Sequence, residues 1–195
     1  MTQAAYTTPQ GRSCAGCSLC CWLPAIPELN KPSQILCTSW AAGVGCKIYE
    51  TRPGTCRKFE CVYLTSPQLG EHWKPLACHM VIAHQPRANR IVIHVDDAHP
   101  DAWAAEPHYG DIRRMAAALY PKNGQVLILS QGMATAVLPD RHKVLGPYSD
   151  DKVLVTTETA GPNGPVYDVT LYSEGDPALG ALRKQAGAVD RTTPV

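Results

Sequence analysis

Several classes of protein are excluded by what this chain lacks. No apolar run reaches the about 18 residues that a membrane-spanning helix needs, so no span is predicted. Charge of one sign is also missing: 18 basic and 17 acidic side chains leave a formal net charge of +1. Without such a field, or a stripe of basic and aromatic residues, a footprint on nucleic-acid phosphates is not expected. The opening residues, Met1 to Arg12, have neither a basic start nor an apolar stretch. They do not resemble a secretory signal, which predicts a reducing, cytoplasmic setting. There is no nucleophile elbow, no phosphate-binding glycine loop and no internal repeat, so no catalytic residue is assigned.

Cysteine is what the chain has in excess. Eight of its nine cysteines fall between residues 14 and 61: Cys14, Cys17, Cys20, Cys21, Cys37, Cys46, Cys56 and Cys61. The ninth, Cys78, stands apart. A disulfide framework needs an oxidising compartment, and the odd count with a vicinal Cys20-Cys21 pair suits it poorly. Inert buried thiols would scatter through apolar stretches instead of crowding one segment. Metal ligation is the reading that remains.

Two motifs carry it. Cys14-x2-Cys17-x2-Cys20-Cys21 brings four thiols to one side whether the segment is helical or looped. On a helix they span a sector of about 120°, and in a knuckle the C-x2-C spacing bends two sulfurs onto one ion. The second motif runs from Gly45 to Cys61, GCKIYETRPGTCRKFEC. Thr51 is predicted to cap a helix with Pro53 in its first turn, from which Cys56 and Cys61 project. Cys46 is expected to approach from the preceding loop. Residues 1–85 hold seven Lys and Arg against four Glu, a formal +3. Eight thiolates with two divalent ions would shift that to −1, so Arg52, Arg57 and Lys58 are candidates to stabilise sulfur charge.

CAGCSLCC followed by GCKIYETRPGTCRKFEC resembles the YkgJ-like CxxCxxCC cysteine-cluster family of bacteria, regarded as chelating zinc or iron. The resemblance covers about residues 12–85. It implies ligation by Cys14, Cys17, Cys20, Cys21, Cys46, Cys56 and Cys61, with Cys37 as the eighth ligand. It fixes neither the metal nor a reaction.

Zinc is the first expectation, as two ions in four-thiolate tetrahedra or a binuclear cluster with shared sulfurs. Iron or a [4Fe-4S] cluster is the alternative. Cys14, Cys17 and Cys20 match the first three ligands of the ferredoxin spacing, but Pro24 stands where the fourth cysteine belongs. A distant cysteine such as Cys46 could complete that set. The functional classes in competition are a metal-binding structural or interaction module, a redox or radical-type enzyme, and a metal-dependent nucleic-acid binder. Flagellin lysine methylases carry a similar cysteine arrangement, which supports the second; near-neutral charge makes the third weakest. Cys78-His79 is read as a buried cysteine beside a surface histidine. The segment from His94 to Asp101 has the look of a hard-metal or acid–base site. It is read instead as a strand end, a turn, and Asp101 capping a short helix.

The predicted fold class is α+β. A cysteine-rich, metal-stapled module with short helices (12–85) precedes a companion region (86–186) with a mainly antiparallel sheet and one helix. Three hairpins are expected: Met80–Ala83 with Arg90–Val95, Gln125–Leu129 with Met133–Leu138, and Lys152–Thr156 with Val166–Leu171. The helix is placed from about Tyr109 to Tyr120 and stopped by Pro121. Residues 187–195, small and polar, are expected to fray.

Overall fold

A computed structural model describes residues 11–14, 16–149 and 151–185. The predicted frayed tail, 187–195, lies outside the described residues. The chain divides into two compact units, residues 1–84 with 93–109 and residues 85–92 with 110–195.

The first unit has little regular structure. Its helices are α1 (Leu19–Trp22), α2 (Gly54–Lys58), α3 (Val62–Thr65) and α4 (Pro75–Cys78), and its small antiparallel ladder is β1 (Trp40–Ala41) with β2 (Gly45–Cys46). The N-cap residues of α1, α2, α3 and α4 make no side-chain capping bond, and each helix is too short to hold itself in water. Order comes from tertiary contacts. Leu19, Leu23 and Val81 form a buried apolar cluster against which Cys17, Cys20, Phe59 and Cys61 pack.

Thr51 does not cap a helix as predicted. It closes a single 3-10 turn, Tyr49–Thr51, and α2 begins only after Pro53. The free amide of Thr55 is satisfied from elsewhere in the chain, by Glu28 Oε1 at 2.9 Å. Nor does Cys61 sit on the helix of Cys56. It precedes α3 in an extended conformation and bridges Ala83 in an antiparallel pair.

Strands β3 (Met80–Gln85) and β4 (Arg90–Val95) match the first predicted hairpin, turning through Pro86–Ala88. Asn89 closes that turn in the left-handed region that asparagine tolerates. Helix α5 (His108–Leu119) is the expected amphipathic helix, with Ile112 and Ala116 buried. Then come β5 (Gln125–Ser130), β6 (Met133–Val137), β7 (His142–Pro147), the long pair β8 (Lys152–Gly161) and β9 (Gly164–Ser173), and α6 (Pro177–Gln185). The strands are bonded in the order β3-β4-β5-β6-β7, with β8-β9 as a separate antiparallel ladder. Mixed helix and mostly antiparallel sheet is the architecture expected.

The second unit holds two elements that the sequence pattern did not single out, β7 and α6. Strand β7 lacks the apolar alternation of a half-buried strand, and Val144 on it is exposed. It is held by pairing to β6 and by Lys143, whose Nζ lies 2.8 Å from Asp168 Oδ2 on β9. The core of this unit includes Ile112, Val126, Ile128, Ala136, Leu154, Val169 and Leu179.

Candidate metal centre

The CxxCxxCC motif is a knuckle that runs into one helical turn. The amide of Cys17 donates to the carbonyl of Cys14 at 3.0 Å, and only Cys20 and Cys21 of the four lie on α1. Cys14 is exposed, Cys17, Cys20 and Cys21 are partly buried, and Cys37 is buried.

The cysteines fall into two neighbourhoods that meet at Cys21, which is close enough to Cys14 and Cys17 for its thiolate to raise their pKa values. Cys14, Cys17, Cys20 and Cys61 line one cavity of about 150 Å³, which Tyr63, Glu71, Lys74 and Val81 also border. Arg12 ties its rim. Its guanidinium donates to the carbonyls of Tyr63 at 2.6 Å, Ser66 at 2.9 Å and Leu69, and pairs with Glu71 at 3.3 Å. The segment leading into Cys14 is thereby fixed against α3, which follows Cys61, and the turn beyond it.

The other group is assembled by backbone bonds. The amide of Cys37 donates to the carbonyl of Cys21 at 2.9 Å, and the amide of Trp40 to the carbonyl of Cys37 at 3.0 Å. Trp40 pairs with Cys46 across β1 and β2. Cys56 on α2 is close enough to Cys21, Cys37 and Cys46 for each thiolate to raise its pKa, in addition to burial. Lys31 completes this group. Its ammonium is buried and gives its protons to the carbonyls of Trp22 at 2.9 Å, Pro24 at 2.6 Å and Pro32 at 2.8 Å. Burial lowers the Lys31 pKa, while Cys37, Cys21 and Cys56 favour the charge.

Cys20 and Cys21 join the groups. A hydrogen bond between the two thiol groups pushes the Cys20 pKa up and brings that of Cys21 down to about 7. Burial raises Cys14 and Cys17, and it pushes Cys61 up to about 11. Where burial favours the neutral thiol, a bound cation must displace the proton, so the positive charges nearby matter. Arg52 and Lys74 supply them at Cys14 and Cys17. Of the three cations expected in this role, Arg52 is partly buried over the Tyr49 ring at 3.9 Å, whereas Arg57 and Lys58 are exposed. Lys31 and Lys74 were not legible as partners of the cysteines, nor Arg12 as a tie of the cavity rim, because the fold and not the motif spacing brings each of them there.

The donor sets fit a thiophilic ion, but the sulfurs are not gathered to bonding distance. Among the described residues, His79, Asp96 and His99 form the one group of three or more Cys, His, Asp or Glu whose ligand atoms all lie within 4.8 Å of one another. Sulfurs 2.3 Å from a tetrahedral zinc stand about 3.8 Å apart, so the cysteines have to close in to bind.

Cys78 stands outside both groups. It is buried, its Sγ lies 3.7 and 3.5 Å from the carbonyls of Pro75 and Met80, and burial pushes its pKa up to about 11. The expected capping of a short helix by Asp101 does not occur. Residues 97–107 form successive turns, and the next helix is α5.

No family model matches this chain, and no curated protein or solved structure matches it. No helix among the described residues is long and apolar enough to cross a membrane.

Proposed function

We propose that this chain is a metal-binding protein of the YkgJ-like cysteine-cluster kind, chelating two zinc ions through eight thiolates. One ion takes Cys14, Cys17, Cys20 and Cys61; the other takes Cys21, Cys37, Cys46 and Cys56. The observation that carries this reading is the cavity lined together by Cys14, Cys17, Cys20 and Cys61, beside which Cys21, Cys37 and Cys56 stand near the buried Lys31 and Cys46 stands near Cys56. Four thiolates and no further ligand make a closed site, suited to holding a fold or a partner surface and not to catalysis. The cytoplasmic setting expected from the sequence keeps such thiols reduced.

One observation favours a second reading. Cys61, not Cys46, accompanies the Cys14-x2-Cys17-x2-Cys20 triplet. A ferredoxin-like triplet with one distant fourth thiolate is also the ligand set of a [4Fe-4S] cluster, the basis of redox or radical-type activity.

Anaerobic purification followed by metal and sulfide analysis tests both. A colourless protein with about two zinc ions per chain is expected. A brown protein with iron and inorganic sulfide overturns zinc and establishes the second reading.

A further inference from the structure

His79, Asp96 and His99 come from three places. His79 closes α4, Asp96 follows β4, and His99 lies in the turn beyond it. His79 has φ 58°, and its carbonyl accepts the amide of Asp96 at 2.9 Å. The turn is fixed from within and from outside. Asp96 Oδ1 accepts the amide of Ala98 at 3.0 Å, and the amide of His99 donates to the Asp96 carbonyl at 2.8 Å. Gln34 reaches across to donate to the Val95 carbonyl at 2.8 Å and accept the Asp97 amide at 3.3 Å.

One carboxylate oxygen is thus committed to the turn. The other, Oδ2, faces two imidazoles: Nδ1 of His99 at 3.2 Å and Nδ1 of His79 at 3.7 Å. The rings stack with centroids 3.6 Å apart and planes 15° from parallel, so one imidazole has to turn out of the stack for both nitrogens to aim at one ion. A hydrogen bond accounts for the shorter contact. The second imidazole is too far for one, yet it presents the same nitrogen to the same oxygen. Nitrogen and oxygen ligands of a tetrahedral zinc stand about 3.3–3.5 Å apart, and the two observed separations bracket that edge.

We infer that His79, Asp96 and His99 form a separate site for a borderline divalent transition ion such as Zn²⁺, Fe²⁺ or Co²⁺. Two imidazoles and one carboxylate suit these ions and not Mg²⁺ or Ca²⁺, which prefer all-oxygen shells. The Asp96 side chain is 9 % exposed and anchors the site; those of His79 and His99 are 40 % and 47 % exposed. Three protein ligands at the surface leave further coordination positions to water or a small anion, unlike the closed thiolate sets. This site does not depend on the reading of the cysteines.

The test is calorimetric titration of the full chain, loaded anaerobically with no more than two equivalents of zinc so that the tighter thiolate sets fill and the third site stays open, with Co²⁺ and with Mg²⁺ as control. Paramagnetic broadening of imidazole resonances is followed in parallel. Three variants accompany the wild type: His79→Asn, whose side chain tolerates the left-handed backbone; Asp96→Asn, which keeps an acceptor for the turn; and His99→Gln. One additional Co²⁺ per chain is expected, with the imidazoles of His79 and His99 broadened and the zinc content unchanged. Each substitution should weaken Co²⁺ by at least the about 10–100-fold that loss of an outer-shell partner costs. Absence of any Co²⁺ that depends on His99, equal binding by the variants, or equal binding of Mg²⁺ overturns the site. The cysteine reading fails on another measurement, the zinc and sulfide content of the purified protein.

Discussion

The guanidinium of Arg12 lies 4.2 Å over the ring of Tyr63 while it donates to that residue's own carbonyl at 2.6 Å. With the carbonyls of Ser66 and Leu69 it uses the planar fork that distinguishes arginine from lysine. The Arg12 side chain is only 9 % exposed, so these bonds are sheltered from water. Arg12→Met should therefore release Cys14 from the Cys61 side of the cavity. Zinc affinity of that set is expected to fall by about 10–100-fold while the other ion is retained. Chelator competition with metal counting reads this out, and Arg12→Lys should not restore it. Equal weakening of both ions, or of neither, contradicts the assignment of Arg12 to one set.

Lys31 plays the corresponding part for Cys21, Cys37 and Cys56. Its ammonium is buried with three carbonyl acceptors and no carboxylate among its hydrogen-bond partners. Burying a cation in this way is costly unless negative charge stands near, and thiolates provide it. Lys31→Met keeps the stem and removes the charge, leaving buried carbonyls unpaired at about 1–3 kcal/mol each. Zinc in the Cys21 set should bind more weakly, and the variant should unfold at lower denaturant. A variant that binds two zinc ions as tightly as the wild type would remove Lys31 from the centre.

Regular periodicity was easy to read. The apolar spacing of Ile112 and Ala116 located α5, and turn residues located the hairpins to within a few positions. Elements without such a pattern escaped, as β7 did, because pairing and side-chain bonds hold it instead of a buried face. At the cysteines the motifs named candidate ligands but not which of them the fold brings near one another. Sequence adjacency ties Cys20 to Cys21, whose thiols hydrogen-bond, while Cys61 and Cys56 part because α2 ends before residue 61. His79 lies 17 residues before Asp96, so only the return of β4 beside β3 brings its ring to the carboxylate.

Cys78 should differ from the eight proposed ligands in its effect on the metal content. Its pKa is pushed up to about 11 by burial, and carbonyls of Pro75 and Met80 occupy its thiol. Alkylation requires the thiolate, so Cys78 should be slow in zinc-free protein near neutral pH, as should Cys61 and Cys20, whose pKa values are also raised, while Cys21 reacts first. Cys78→Ala should leave the zinc count unchanged. Mass spectrometry of partly alkylated protein and metal analysis of the variant check the two statements, and loss of one zinc ion would make Cys78 a ligand.

His94 gives the first unit an acid limit. Burial, with Lys31 adding to it, pushes its pKa down to about 4 from an ordinary value of 6.5. Between those values the unfolded chain takes up a proton that the folded chain refuses. The contribution of this group is therefore complete above pH 6.5 and is lost as pH falls toward 4, by up to about 3 kcal/mol. His94→Gln should flatten the slope of stability against pH over that window. Since zinc loss acts on both proteins, the difference between their slopes is what is measured; parallel slopes would mean that His94 does not titrate differently on folding.

Metal removal should be felt most between Cys14 and Cys61. Elements α1, β1, β2 and α2 there are two to five residues long, and the local apolar cluster has only Leu19, Leu23 and Val81 at its centre. Zinc ligation is worth about 10–16 kcal/mol per structural site, comparable with the whole stability of an ordinary domain. Dialysis against a chelator should thus abolish amide protection at Leu23 and Cys37, whose backbone bonds to Leu19 and Cys21 order this segment. Returning two equivalents of zinc should restore it. Protection that survives complete metal removal would show that the segment folds by itself and that the ion has no structural role.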